Sequence, residues 1–178
     1  MAHSPAKNLT VDLYVQDISD FKVLNSSEDS DVITATWRQW IQIWLEELHS
    51  ISAIPKAYEL SIRLTSDCEM QTLNNQYRHK NQPTDVLAFA ALEVEVPQSS
   101  EEISANEPLY LGDIVISVDT ARKQARQNHH SLIVELAWLV AHGLLHLLGW
   151  DHPDEESLRQ MLAQQETLLK LVGLQPNN

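Results

Sequence analysis

The stretch His142-Gly-Leu-Leu-His146-Leu-Leu-Gly149-Trp-Asp-His152 leaves the chain little conformational choice. It closes an apolar, helix-forming run that begins near Leu132. On a helix His142 and His146 are one turn apart, with Cβ atoms roughly 5–6 Å from each other on one face. Gly149 then supplies a stop, because glycine takes the left-handed conformation beyond a helix end cheaply. The returning chain carries His152 towards the other two. Three imidazoles held by a helix and its return turn form a tripod with one open side. That suits a zinc ion with nitrogen ligands at about 2.0–2.1 Å and a water in the fourth position.

A single histidine in a leucine-rich helix is ordinarily a core residue with satisfied nitrogens, and a pair four apart can arise by chance. The third histidine past the glycine favours a metal site, since burying three imidazoles in an apolar segment is costly unless something binds their nitrogens. The spacing also matches the metzincin pattern H-E-x-x-H-x-x-G-x-x-H, in which a glutamate beside the first histidine is the general base. Here that position is Gly143, which carries no proton, so peptidase chemistry is disfavoured.

At 178 residues the chain is most economically one domain over 1–178, with loose termini at 1–9 and 175–178. Its one cysteine, Cys68, excludes an internal disulfide framework, fits a reducing cytosol and reads as structural. The first thirty residues are polar and carry no secretory signal. The run Leu132–Trp150 approaches membrane-spanning length but contains Glu135, His142 and His146, which suits a buried core helix better. The expectation is a soluble, cytoplasmic protein with no membrane partner. A net charge of −13 weighs against nucleic acid. Yet basic residues bunch at Arg78-His79-Lys80 and at Arg122-Lys123…Arg126, near His129 and His130; either bunch alone reads as a solvated helix face.

Val11–Val15 alternates and predicts an edge strand. From about Val32 to His49, a helix places Trp37, Trp40, Ile41, Trp44, Leu45 and Leu48 on one stripe, read as core packing. Tyr58–Thr65 is the next strand. Ser66-Asp-Cys-Glu69 is a capping box in which Glu69 reaches back to the cap amide, opening a helix to about Arg78. Residues 79–83 form a turn, Thr84–Leu92 a strand, 93–109 an exposed acidic loop and Leu109–Ser117 a further strand. Helices follow at about Val118–Asn128, Leu132–Leu148 and Asp154–Val172, the last with Pro153 at its first position. The mixture predicts an α+β domain, a small mixed sheet packed with about five helices.

Three segments, in order, carry a likeness: Leu73-Asn-Asn-Gln-Tyr-Arg78-His-Lys80 with Pro83-Thr-Asp-Val-Leu87, then Leu111-Gly-Asp-Ile-Val-Ile-Ser117, then the histidine motif. Together they resemble the YbeY family of bacterial rRNA maturation factors, single-strand-specific endoribonucleases. Ala88-Phe89-Ala90 stands where that family typically has serine, phenylalanine and proline, and Trp150 where tyrosine is common. The resemblance implies an α+β fold with a small mixed sheet, and one zinc ion per chain on His142, His146 and His152. It implies Arg78 as a basic cleft residue used in RNA cleavage, so that Arg78 and His142 are the candidate catalytic residues. It further implies single-stranded RNA as substrate, maturation of the 3′ end of small-subunit ribosomal RNA, ribosome quality control, and the small ribosomal subunit as partner. DNA is not expected.

The residues themselves suggest metal-assisted hydrolysis. Zinc on three neutral imidazoles lowers the pKa of a bound water to about 7 and can polarise a phosphoryl oxygen. Arg78 could hold a phosphate through two parallel hydrogen bonds; its plain alternative is an ordinary arginine at a helix end. Asp151, beside a ligand, is either a general base or, as the favoured reading, a residue that orients an imidazole or is structural; Asp85 and Asp113 are weaker carboxylate candidates for proton transfer. Attack by the RNA 2′-hydroxyl stays open as a second route. Two rivals remain: a non-catalytic ribosome-assembly factor with a structural zinc closed by His129, His130 or a carboxylate, and a metal-dependent hydrolase of a small molecule or peptide.

Overall fold

A computed structural model describes residues 9–23, 27–48, 57–91 and 107–176. Alternation in Tyr58-Glu-Leu-Ser-Ile-Arg-Leu64 makes β2 (Ala57–Thr65), with Tyr58, Leu60, Ile62 and Leu64 buried on one face. β1 (Thr10–Asp17) runs parallel to it, Val11 opposite Tyr58 and Leu13 opposite Leu60. β4 (Leu109–Ser117) is parallel on its other side, and β3 (Val86–Ala90) pairs antiparallel with β4. The sheet is therefore mixed, in the order β1-β2-β4-β3. Leu111 is an extra residue in the β2–β4 register, and the strand bulges at Gly112 (φ 131°). A Cβ there would collide with the Phe89 carbonyl oxygen of β3, so only glycine keeps the two strands together.

Between β1 and β2 the chain makes α1 (Ser27–Leu48), whose Trp37, Ile41, Trp44 and Leu45 are buried in the main core. The tryptophan stripe is core, as its spacing predicted. Trp44 Nε1 also donates to the Leu168 carbonyl at 2.7 Å, tying α1 to the last helix. α2 (Asp67–Arg78) covers part of the opposite sheet face, with Met70 against Leu87 and Val115. α3 (Val118–Gln127), α4 (Leu132–Leu147) and α5 (Glu155–Leu171) complete five helices of an α+β fold. α4 packs on β3, β4, α3 and α5 at once. Its apolar composition follows from burial on nearly every side (Leu136, Leu139, Val140, Leu144 and Leu145 among others). No single described helix is long and apolar enough to cross a membrane.

Several expectations need correction. Leu9, assigned to a loose terminus, is buried in the core, while 1–8 and 177–178 lie outside the described residues. The acidic loop falls outside them from 93 to 106, and the strand expected over Thr84–Leu92 is shorter, Val86–Ala90. Ser66 does cap α2, accepting from the Glu69 amide. The Glu69 carboxylate, however, turns to Arg63 (2.5 Å) and Thr65 rather than back to the cap, because an ion pair outbids a neutral amide. Asp154, not a residue within the helix, caps α5 in a reciprocal box with Ser157, which puts Pro153 one residue before the cap. Cys68 is exposed on the first turn of α2 and packs no core.

Candidate metal centre and its cleft

α4 delivers His142 and His146 one turn apart, their Nε2 atoms 3.1 Å from each other. The helix then ends as the glycine predicted. Gly149 (φ 90°) donates to the His146 carbonyl and Trp150 donates to the Leu145 carbonyl, each at 3.0 Å, which reverses the chain. Asp151 Oδ1 accepts the His152 amide at 2.8 Å and holds the return. His152 thereby arrives with its ring centroid 5.5 Å from that of His142 and 5.1 Å from that of His146. One nitrogen from each ring lies within 4.8 Å of the others. Tetrahedral zinc ligands at about 2.0–2.1 Å stand roughly 3.3 Å from one another, so the His142–His146 pair is already at coordination spacing. The three nitrogens fit a metal ion with only small closure by His152.

Gln165 of α5 sets the ring that matters most. It is fully buried, its Oε1 lies 2.9 Å from His142 Nδ1, and its Nε2 donates to the Trp138 carbonyl at 3.2 Å. An amide oxygen only accepts, so Nδ1 carries the proton and the Nε2 lone pair faces the cleft. Burial holds His142 below the usual imidazole range, nearby His152 adds to this, and the Gln165 hydrogen bond and Asp85 oppose it. His146 is lowered by burial first and then by His142 and His152. Both rings are therefore neutral at pH 7, as ligation requires. Sequence reasoning missed Gln165, which lies 23 residues from His142 and bears no charge. Its one signal is position: a polar side chain in the buried stripe Met161–Gln165–Leu168.

An open cleft of about 370 Å³ joins the three histidines to Arg78, Thr84, Asp85 and Asp151. Arg78 ends α2. The left-handed His79 (φ 57°) stops that helix, and buried Asn74 donates to the Gln82 carbonyl at 2.8 Å, pinning the turn that follows. Exposed Arg78 has no ion-pair partner among the described residues, which leaves its guanidinium available to an anion. Asp85 uses Oδ1 on the Val86 amide (2.8 Å) and Oδ2 on Gln124 (3.1 Å).

Other candidates are placed elsewhere. Asp113 is on the opposite sheet face, accepting from Ser61 and from Tyr110 (2.8 Å), whose hydroxyl is pushed up to about 12 by burial and then by this bond. Asp151 holds a backbone amide instead of orienting an imidazole; Gln165 has that task. His130 sits 2.5 Å from Glu135, both buried, so neither completes the histidine cluster. Arg122 lies over the Phe21 ring at 4.1 Å and Lys123 pairs with Asp67 at 2.9 Å, in a separate hollow. Gly143 lacks more than an acid. A Cβ there would stand 2.8 Å from Ile114 Cγ2, so α4 rests directly on β4 and no glutamate fits.

The family model described as endoribonuclease YbeY matches residues 22–173. A relative named endoribonuclease YbeY from Nostoc sp. is 60% identical over 149 residues, 84% of this chain and 80% of its own length. Another of that name, from Synechocystis sp., is 47% identical over 176 residues, 99% of this chain and 98% of its own. In fold, the chain is similar to the solution structure of TM1509 from Thermotoga maritima, with a TM-score of 0.54 and 22% identity over 90% of this chain and 88% of that one. A matching model over most of the chain and relatives at this identity lead to one conclusion: the chain belongs to the endoribonuclease YbeY family.

Proposed function

We propose that this chain is a zinc-dependent endoribonuclease that cuts single-stranded RNA. The observation that carries this is the shared cleft: an arginine with no ion-pair partner among the described residues and three clustered imidazoles open onto one hollow. When bound, zinc would supply Lewis-acid polarisation of a phosphoryl oxygen and a more acidic water. His142, His146 and His152 would hold it, with His142 fixed in register by Gln165. Arg78 binds a phosphate and stabilises charge that grows on it. Asp85 is committed through both oxygens, whereas Asp151 engages one in the His152 turn. Exposed Asp151 is therefore the cleft carboxylate assigned to take up a proton.

We extend the same reading to a cellular setting: ribosomal RNA maturation and quality control in the cytoplasm, in contact with the small ribosomal subunit, a setting that the family resemblance supports. Among the described residues no fourth protein ligand joins the cluster, which speaks against a closed structural zinc. The deciding experiment is parallel purification of wild type and His146→Ala, each assayed on unstructured RNA with and without chelator. Cleavage by wild type alone, abolished by chelator, is expected. Equal cleavage by both proteins would overturn the assignment.

A further inference from the structure

Part of the cleft wall is strand β3. Val86, Ala88 and Ala90 of β3 line it beside the histidines, and β3 is the outer strand of the sheet. The Ser117 amide donates to the Asp85 carbonyl at 2.9 Å, which sets the phase of the β3–β4 ladder. With Asp85 opposite Ser117, the backbone groups of Leu87 and Phe89 face β4, and those of Val86, Ala88 and Ala90 face away. The Val86 amide bears this out, since it is taken by Asp85 Oδ1 instead of by β4. Among the described residues no strand pairs with this outer edge, and nothing accepts from the Ala88 or Ala90 amide. Ala88 and Ala90 carry only methyl side chains and are partly exposed.

We infer that this edge binds the bases of the single-stranded substrate through their Watson–Crick edges; the inference rests on the endoribonuclease reading. Ala88 and Ala90 each present an N–H donor beside a C=O acceptor. Every base offers a donor beside an acceptor on its pairing edge, so one such residue can hold any base without choosing a sequence. In a duplex those edges are already used, and the strip then rejects the strand. Ala88 and Ala90 repeat at about 6.6–6.8 Å along the strand, within reach of one step of an extended, unstacked chain. The phosphates of that chain meet Arg78 in the same cleft. A polypeptide occupant would pair a longer row of amides, whereas here only two residues have a free donor and the neighbouring arginine suits an anion.

The test is the affinity of wild type and Ala88→Pro for an unstructured, cleavage-resistant 2′-O-methyl RNA, read by fluorescence anisotropy. The same strand is compared with its bases methylated on their pairing edges. Proline is tolerated where an edge-strand amide points outward. Base methylation and Ala88→Pro are each expected to weaken binding roughly three- to tenfold, the worth of one or two hydrogen bonds. Combined, they should cost no more than base methylation alone. Wild type binding methylated and plain strands equally, or effects that multiply, would overturn the inference alone; wild type binding no RNA would overturn the endoribonuclease reading with it. An extended peptide that competes with RNA on wild type but not on Ala88→Pro would assign the edge to polypeptide and also overturn it. Should Ala88→Pro fail to fold by circular dichroism, the methylated strand on wild type decides.

Discussion

Gln165 Oε1 and His142 Nδ1 stand 2.9 Å apart, on helices that meet only through tertiary packing. The metal-facing tautomer of His142 is thus set by a neutral side chain on α5. Gln165→Leu is expected to lower metal affinity about 10- to 100-fold, while Gln165→Glu, which keeps an acceptor, should lose less. Competition with a chromophoric chelator measures both, and unchanged affinity in the leucine variant would remove Gln165 from the centre.

Arg78 is exposed and makes no ion pair among the described residues, so its removal should be silent in the fold. Arg78→Ala is expected to unfold within about 0.5 kcal/mol of wild type and to bind metal at full stoichiometry. Cleavage of single-stranded RNA should nevertheless be lost. Activity at the wild-type rate would sink its assigned part.

At Gly143 the steric argument predicts that restoring the protease glutamate gives no peptidase. Gly143→Ala gains about 1 kcal/mol in helix propensity but overpacks against Ile114, at a typical cost of about 1–3 kcal/mol. A net loss is expected in urea unfolding, partly recovered when Ile114 is cut back to alanine, which removes the Cγ2 atom that a Cβ at 143 would meet. Additive effects of the two substitutions would show that the contact is not what excludes a side chain.

Asp67 gives a pH dependence. Burial pushes its carboxyl up, but hydrogen bonds from Ser117, Thr120 and Lys123 outweigh that and hold it below its ordinary value of 3.8. A depressed acid stabilises the fold fully above that ordinary value, and the contribution fades as pH falls through the lower folded value. Asp67→Asn should therefore flatten the acid limb of stability below about pH 4. Parallel acid limbs in variant and wild type would refute it.

How much of this was legible depends on whether a residue signals along its own element or across to another. The histidine tripod rests on helical periodicity and one glycine, both local, and α4 and β4 fell where pattern put them. β4 matches its expected bounds, Leu109–Ser117. Gln165 was illegible because its partner is on another helix and its amide carries no charge to mark it. Asp113 misled for a related reason: alternation shows that a strand has two faces, but not which of them meets α4. Pro153 was displaced because Asp154, with Ser157 answering it, is the stronger cap.

Contact without clearance between Gly143 and Ile114 has a mechanical meaning. Any side chain at 143 would have to lift α4 off β4, so His142 and His146 ride on a helix seated at closest range on the sheet. His152, by contrast, is carried by the surface turn after Gly149, which is tied back to α4 by the Gly149 and Trp150 amides.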